Sequence, residues 1–309
     1  MNSPLISVII PCYNSTRFLK DTIDSLQAQT YQRWEAIFVD DGSTDNTIDF
    51  IEKVKDERFR VYSKTPEGLP CKSRMHGFKF AKGEYLVFWD HDDYSHPRRF
   101  ESQITTFLES PDAGVVYTDR IIVNTESFDS RDFITDVKPA KILESNELYE
   151  GNPITWSSGM IETTVFNSVG GLCTDQEMIG VDDYHLWLKA SFVKKIYHIP
   201  SPLTFYRVHG SNLGTDQGIF IPGLQSILDY FLKKPGSPTY LINSLRHQLA
   251  KSKGVMTIPE SPFRALLYIL KSLRYRCPPK TFMILTYAAL NFFLPHGMRK
   301  KLFLRLHQY

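Results

Sequence analysis

Three carboxylates occupy four consecutive positions directly after a short apolar run at residues 85–89. The run has the length and the aromatic and β-branched content of a buried strand, so Asp90, Asp92 and Asp93 are expected where it leaves the sheet. Asp90 and Asp92 are two residues apart and point the same way on an extended backbone. Like charges this close are unfavourable unless a cation or strong donors lie between them. The spacing suits a site for Mg²⁺ or Mn²⁺ completed by a substrate phosphate. Most acidic clusters are solvated turns, and the metal site is favoured here because this cluster is accompanied by the further motifs described below.

A second acidic turn, Asp40-Asp41-Gly42-Ser43, follows another strand-like run at residues 34–39. A carboxylate at this point can accept hydrogen bonds from a nucleobase or a ribose. Taken alone, the motif is better explained as a plain turn that caps the next helix. No glycine-rich fingerprint follows the first strand, which argues against a nicotinamide enzyme.

Strand-like and helix-like segments alternate along residues 1–120 and predict an α/β fold. Strands are predicted at residues 5–10, 34–39, 58–63, 85–89 and 114–118, and helices at 15–29, 44–55, 71–82 and 97–108. Repeated units of this size predict a mostly parallel, Rossmann-like sheet flanked by helices. Ligands bind outside the carboxyl ends of such strands, so both acidic turns belong to one edge. Loops and irregular strands are expected at 121–148, a second half of the site at 152–212, and helices beyond residue 220.

The charge is distributed unevenly along the 309 residues, although the net charge is only +2. Residues 261–309 contain nine Lys and Arg and no Asp or Glu, and subtracting nine from +2 leaves residues 1–260 at −7. The two parts are therefore expected to face different partners. The four cysteines show no metal-ligand or redox spacing, and no signal-like segment opens the chain. We therefore expect reduced thiols and a cytoplasmic location.

Five motifs occur in an order that resembles glycosyltransferase family 2, the inverting, GT-A type transferases that use nucleotide-diphospho-sugars. They are residues 7–14 (SVIIPCYN), 39–45 (VDDGSTD), 83–93 (GEYLVFWDHDD), 181–187 (VDDYHLW) and 205–212 (FYRVHGSN). The resemblance covers roughly residues 5–215. It implies a GT-A domain at 1–215, with a nucleotide-sugar half at about 1–120 and an acceptor half at 121–215.

The resemblance assigns the donor nucleotide to the first two motifs. Asp41 would bind uracil or another base, Pro11 and Tyr13 would line the same pocket, and Asp40 would belong to the same donor-binding turn. Arg74 matches the arginine of the family's Ala-Arg-Asn segment and would contact the nucleotide phosphates, although that segment here reads Ser-Arg-Met.

The third motif would hold the cation. Asp90 and Asp92 match the family's Asp-x-Asp, with Asp92 as the direct ligand of Mn²⁺ or Mg²⁺ and Asp90 beside the diphosphate. His209, in the last motif, could contact the diphosphate or the metal, although a lone histidine is more often structural.

The fourth motif would supply the catalytic base. Asp183 takes that position, and an inverting transfer needs one because the acceptor hydroxyl must lose its proton as it attacks. Asp182 and Asp183 are also typical of the first turn of a helix, which the helix dipole stabilises. Asp182 and Trp156 are expected on the acceptor side; packing in the core is an equal alternative for Trp156.

Residues 216–309 are expected to form a basic helical extension. Its apolar segments at 262–273 and 281–294 are too short to span a bilayer, but they suit helices that lie in an anionic membrane interface. A helical pair that packs on the catalytic domain is the alternative. No motif accompanies the basic charge, so no nucleic-acid partner is expected.

We therefore expect a metal-dependent inverting glycosyltransferase acting at the cytoplasmic face of the plasma membrane. It would transfer a sugar from a nucleotide donor, a UDP-sugar in particular, to a hydroxyl of a glycan or lipid-linked acceptor in cell-surface polysaccharide synthesis. One alternative is a non-catalytic nucleotide-sugar-binding protein of the same fold. Another is a sugar nucleotidyltransferase, which would be expected to carry a glycine-rich basic loop after its first strand.

Overall fold

The computed structural model describes residues 3–123, 137–209, 217–257 and 261–275. The chain divides into two compact units. The first comprises residues 1–145 and 152–212, and the second comprises residues 146–151 and 213–309.

Four parallel strands form the first half of the sheet. They are β1 (Ile6–Cys12), β2 (Trp34–Asp40), β3 (Phe59–Ser63) and β4 (Tyr85–Phe88), in the spatial order β3-β2-β1-β4. Every residue of β1 and β2 is buried, as expected for strands that helices cover on both faces. The carboxyl ends of β1, β2 and β4 lie at one edge, and both acidic turns start there.

Helices connect these strands at the predicted places. They are α1 (Thr16–Gln27), α2 (Thr47–Lys53), α3 (Pro70–Phe78) and, after β4, α4 (Arg99–Glu109). α3 lies very close to the sheet because Gly77 has no side chain. A Cβ at Gly77 would lie 2.7 Å from Ile9 Cγ2 and 2.9 Å from Val39 Cγ2. This close approach brings Arg74, one turn earlier, to the strand ends.

Antiparallel pairing appears in the second half of the sheet. Its strands are β5 (Tyr94–Ser95), β6 (Ala113–Val123), β7 (Lys141–Ile142), β8 (Gly159–Glu162) and β9 (Lys195–Arg207). β8 lies antiparallel between β4 and β6, whereas β6 and β9 are parallel. The predicted α/β sheet with flanking helices is confirmed, and as a whole the sheet is mixed. β6 runs five residues beyond the predicted 114–118 because β9, which the sequence pattern did not predict, pairs along its full length.

Short helices follow the later strands. They are α5 (Ser145–Tyr149), α6 (Thr163–Ser168) and α7 (Asp182–Ala190), with a 3₁₀ turn at Trp156–Ser158 before β8. α7 presents Asp182 and Asp183 in its first turn, as the sequence motif indicated.

Three helices make up most of the described part of the second unit. They are α8 (Gln217–Lys233), α9 (Thr239–Thr257) and α10 (Pro262–Leu273). The predicted helix at 262–273 is confirmed, and the segment at 281–294 lies outside the described residues. Among the described residues, no helix combines the length and the apolar composition that a membrane span requires.

Candidate active site

The turn that carries the acidic cluster is fixed through its backbone. Thr22 Oγ1, on α1, lies 2.7 Å from His91 O and 2.8 Å from Asp93 O. Trp89 Nε1 donates to Asp93 O at 3.1 Å. The backbone N–H of Asp90 donates to a serine hydroxyl of the 3₁₀ turn at 3.0 Å. These contacts tie the backbone of the turn to α1, to the Trp89 side chain and to the 3₁₀ turn.

Arg207, the last residue of β9, clamps the same turn from the other side. Its Nε donates to Asp92 O and its backbone N–H donates to Asp93 Oδ1, both at 2.9 Å. Its guanidinium also donates to Asp21 Oδ2 on α1 at 2.6 Å. Arg207 is buried, and the sequence motif at 205–212 contained it without indicating a role. Asp21 belongs to no motif, so only the fold reveals it.

His209 and Asp92 form a close pair. His209 Nε2 lies 2.8 Å from Asp92 Oδ2, and the imidazole stacks on the Phe18 ring with centroids 4.7 Å apart. The structure thus brings together two residues that the sequence assigned to the metal–diphosphate region and that are 117 positions apart along the chain.

The donor set of this pair fits a divalent cation bound mainly through substrate. Within the described ranges no group of three or more His, Cys, Asp or Glu side chains is arranged to hold a metal ion. Mn²⁺ accepts carboxylate oxygen and imidazole nitrogen, and Mg²⁺-type sites commonly use one or two carboxylates completed by phosphate oxygens. Asp92 and His209, with Asp90 two residues away, supply such a partial set.

Arg74 joins the acidic turn to the first turn of α7. Its guanidinium donates to Asp90 Oδ1 at 2.5 Å and to Asp182 Oδ2 at 3.4 Å. Its Cζ lies 4.4 Å from the centroid of the Trp156 ring, which also packs against Trp187. Arg74 is 4% exposed and Trp156 is 7% exposed. Both side chains are therefore buried in the interior of the site. For Trp156 this environment corresponds to core packing, one of the two alternatives given by the sequence.

Burial raises the pKa of several carboxyl groups at this edge. The pKa of Asp90 is raised by burial and by the charge of Asp92, with Arg74 acting in the opposite direction. The pKa of Asp182 is also raised, by burial, and Arg74 again opposes the shift. Arg74 therefore compensates two carboxylates that would otherwise repel each other.

Asp183 has the environment of a general base. Burial, and then the charge of Asp182, raise its pKa to about 7. Asn152 Nδ2 donates to Asp183 Oδ2 at 2.8 Å, and the backbone N–H of Tyr184 donates to Asp183 Oδ1 at 2.6 Å. A carboxylate with a pKa near the working pH and a fixed orientation can accept a proton efficiently.

The second acidic turn is held in shape by Asp40 and Asn14. Asp40 Oδ2 accepts hydrogen bonds from the backbone N–H groups of Gly42 and Ser43, both at 3.0 Å. Asn14, in the left-handed region at φ 48°, accepts from the backbone N–H of Thr44 through Oδ1 at 2.8 Å. Asp40 is buried, and in the structure its side chain stabilises the conformation of this turn.

Asp41 lies beside the carboxyl end of β1. Its carboxylate accepts from the backbone N–H groups of Glu67 at 3.0 Å and Gly68 at 2.8 Å, and from Lys64 Nζ at 2.5 Å. The backbone N–H of Asp41 donates to the carbonyl of β1's last residue, one position after the buried Pro11. Tyr13, which follows, is 56% exposed. The predicted base-pocket residues are therefore neighbours, with Tyr13 open to a ligand.

The model of a known protein family matches residues 7–166 of this chain, and its description is Glycosyl transferase family 2. The match covers just over half of the chain and includes both acidic turns. The chain belongs to glycosyltransferase family 2.

A curated relative extends the family relationship beyond the matched segment. WfaP of Escherichia coli, named as a UDP-Glc:alpha-D-GlcNAc-diphosphoundecaprenol beta-1,3-glucosyltransferase, is 31% identical over 215 residues. The alignment covers 69% of this chain and 81% of WfaP. The enzyme class predicted from the motifs, a glycosyltransferase, is thus confirmed.

Solved structures share the fold. S. aureus TarS in complex with UDP-GlcNAc aligns with a TM-score of 0.65 at 19% identity, over 93% of this chain and 87% of that one. The mannosyltransferase PcManGT from Pyrobaculum calidifontis, in complex with GDP-Man and Mn²⁺, aligns with a TM-score of 0.59 at 18% identity. That alignment covers 96% of this family 2 chain and 83% of PcManGT. The predicted GT-A fold class is confirmed.

Proposed function

We propose that this protein is an inverting glycosyltransferase that transfers a sugar from a UDP-sugar to a hydroxyl of a glycan or lipid-linked acceptor in cell-surface polysaccharide synthesis. The observation that carries the proposal is Asp183, whose raised pKa of about 7 suits a general base, in the same site as Asp90 and Asp92. The printed name of WfaP, which combines a UDP donor with a diphosphoundecaprenol acceptor, supports the choice of substrates.

The donor nucleotide would bind at the carboxyl ends of β1 and β2. Asp41 would accept a hydrogen bond from the base, whereas Tyr13 would cover the ring and Pro11 would form the floor. Asp41 already accepts from two backbone N–H groups and Lys64, so its position is fixed before the donor arrives. Such preorganisation lowers the entropic cost of binding.

Mn²⁺ or Mg²⁺ would be held by Asp92, with Asp90 and His209 beside it and phosphate oxygens completing the set. When bound, the cation supplies neutralising charge for the leaving diphosphate. Asp183 would take the proton of the acceptor hydroxyl while that oxygen attacks the anomeric carbon in a single displacement. Asn152 and the backbone N–H of Tyr184 hold the carboxylate during this transfer.

We further propose that residues 1–120 form the donor half, residues 121–215 the acceptor half, and residues 216–309 an extension that contacts the cytoplasmic face of the plasma membrane. The acid-free, basic sequence at 261–309 supports this peripheral contact. A lipid-linked acceptor would then reach the enzyme from the same surface.

The test combines donor binding with transfer. We would screen UDP-, GDP- and dTDP-sugars with Mn²⁺, using GlcNAc-diphosphoundecaprenol as the first acceptor. Asp183→Asn should bind UDP as the unmodified protein does but lose transfer by roughly 10²–10⁴-fold, the usual contribution of a general base. Asp229→Asn, on the exposed side of α8, controls for the loss of one carboxylate.

Each outcome decides between the candidate functions. Transfer by Asp183→Asn at the unmodified rate would remove Asp183 as the base. Tight donor binding with no transfer to any acceptor would favour a non-catalytic nucleotide-sugar-binding protein. Release of diphosphate from a nucleoside triphosphate and a sugar phosphate would favour a nucleotidyltransferase.

A further inference from the structure

α10 carries an exposed apolar stripe. Phe263, Leu267 and Leu270 are 59%, 52% and 47% exposed and are spaced four and three residues apart, so they lie on one face of the helix. Large apolar side chains exposed together in this way usually mark a contact surface.

The opposite face of α10 is already used for packing within the second unit. Ala265 and Ile269 are fully buried. A Cβ at Gly254, on α9, would lie 2.6 Å from Ile269 Cγ1 and 3.2 Å from Ala265 O. Because this contact fixes the rotation of α10 about its axis, the apolar stripe is turned away from α9.

Positive charge borders the stripe and no negative charge interrupts it. Arg264 and Lys271 lie on the adjoining strip of the helix, Arg274 continues the line of the stripe, and all three are exposed. α10 contains no acidic residue, and neither does the rest of the sequence from residue 261 to the end. The surface therefore complements an apolar layer that carries negative charge at its boundary.

We propose that α10 is a membrane-docking helix that lies flat in the interface of a bilayer containing anionic lipids. The stripe of Phe263, Leu267 and Leu270 enters the boundary between headgroups and acyl chains, while Arg264 and Lys271 contact lipid phosphates. An amphipathic helix with cations beside its apolar face has the composition of an interfacial helix. The inference names the contact surface and the lipid class, and it rests on the proposed membrane contact of the extension.

The experiment measures flotation of the full chain with vesicles in the absence of any substrate. The protein should float with vesicles of phosphatidylcholine mixed with phosphatidylglycerol and not with phosphatidylcholine alone, and raised salt should release it. Lys271→Glu and Leu267→Glu should each lower the partition coefficient by about tenfold or more, because one removes a lipid contact and the other places a charge in the interface.

α8 offers matched controls. Leu232 is 50% exposed, nearly the same as Leu267, and its neighbour Lys233 is exposed like Lys271. Leu232→Glu and Lys233→Glu change the net charge equally and should leave flotation within about twofold of the unmodified protein, because long-range charge effects are screened. UDP binding measured on every variant reports whether the fold of the catalytic unit is intact.

Several results would overturn the assignment. Equal losses in the α8 controls would show that no specific helix face is involved. A lower sedimentation mass for Leu267→Glu, without any change in flotation, would identify a second copy of the chain as the occupant. Unchanged flotation and mass would place the lipid contact elsewhere. Because vesicle binding needs neither Asp183 nor a donor, its failure leaves the proposed transfer untouched, and the reverse also holds.

Discussion

The side-chain amide of Asn152 donates a hydrogen bond to Oδ2 of Asp183 across 2.8 Å. Oδ1 of the same carboxylate accepts the backbone N–H of Tyr184. Both hydrogen bonds favour the charged carboxylate, yet burial and the neighbouring charge of Asp182 outweigh them and raise the pKa of Asp183 to about 7. The carboxylate therefore has a fixed orientation in which it can accept a proton, and its protonation changes near neutral pH.

The rate of transfer should therefore depend on pH through Asp183. Below its pKa of about 7 the group is protonated and cannot accept the proton of the acceptor hydroxyl. We expect kcat/KM to fall about tenfold for each pH unit below the pKa and to level off above it, as for a single essential base. The measurement is the pH profile of kcat/KM with saturating Mn²⁺.

The variant Asn152→Ala should shift the pH profile of kcat/KM in a predictable direction. This variant loses the hydrogen bond that Asn152 donates to the ionised Asp183, so the inflection of the profile should move to higher pH. UDP binding should stay unchanged, because the contact of Asn152 is with Asp183 and not with the predicted nucleotide pocket. An inflection that stays in place in Asn152→Ala, or a profile without any inflection near neutral pH, contradicts the assignment.

The same raised pKa predicts a stability effect. A carboxyl group whose pKa rises from 3.8 to about 7 on folding binds its proton more tightly in the folded state. Its contribution to the free energy of unfolding therefore falls as the pH rises from about 4 to about 7 and stays low above that. Asp183→Asn, which cannot ionise, should raise Tm relative to the unmodified protein at pH 8 and have less effect at pH 5.

A surface-charge control separates this effect from general electrostatics. Asp24→Asn, in an exposed ion pair on α1, removes one negative charge away from the site. Its Tm difference should be small at both pH values, since exposed pairs contribute little. An Asp183→Asn variant that is less stable at pH 8 than the unmodified protein would show that the ionised carboxylate stabilises the fold.

The acidic turns could be predicted from the sequence because each directly follows a recognisable buried strand. A strand that ends in carboxylates places them at the ligand-binding edge whatever the rest of the chain does. Asp183 was predicted from a motif at the head of a helix, and α7 begins there. These features depend on local order along the chain, which a sequence shows directly.

The partners of Arg74 and Arg207 could not be predicted in this way. Arg74 Nη1 reaches Asp182, 108 positions along the chain, and Arg207 reaches Asp21, 186 positions away. Such contacts depend on the packing of β9 and of α3 against the sheet. β9 contains Pro200 and Pro202, and several of its buried positions are polar, including Ser201, Thr204 and Arg207. Prolines and buried polar residues remove the apolar alternation by which a strand is recognised in a sequence.

The His209–Asp92 pair makes a prediction about the cation. Asp92→Ala should abolish the enhancement of UDP binding by Mn²⁺, because the carboxylate is the expected direct ligand. His209→Ala should weaken the enhancement by about tenfold or more, the usual effect of losing a group that orients a metal ligand. Titration calorimetry of UDP with and without Mn²⁺ measures both.

Residual binding without metal provides the internal control for these two variants. UDP affinity in the presence of a chelator should be the same in Asp92→Ala, His209→Ala and the unmodified protein, because Asp41 and Tyr13 are untouched. Full Mn²⁺ enhancement in Asp92→Ala would move the metal site away from this turn.

The ion pair between Asp21 and Arg207 makes a prediction about how the metal turn is positioned. Arg207 donates to Asp92 O and is itself held by Asp21, so both act on the turn without being expected to touch the cation. Arg207→Lys should weaken Mn²⁺-dependent UDP binding about tenfold, since lysine cannot make the same planar set of contacts. Asp21→Asn should act in the same direction and by less.

The double variant tests whether Asp21 and Arg207 act together on the metal turn. If Asp21 acts through Arg207, the double variant should bind UDP with Mn²⁺ no more weakly than Arg207→Lys alone, whereas independent effects would add. Asp24→Asn, one turn further along α1 in the exposed pair with Lys20, is the matched control and should leave Mn²⁺-dependent binding unchanged. If the losses of Mn²⁺-dependent binding add, or if Asp24→Asn loses as much binding as Asp21→Asn, Asp21 contributes only through its negative charge. Mn²⁺-independent binding that falls in parallel would instead show that the pair stabilises the fold and does not position Asp92.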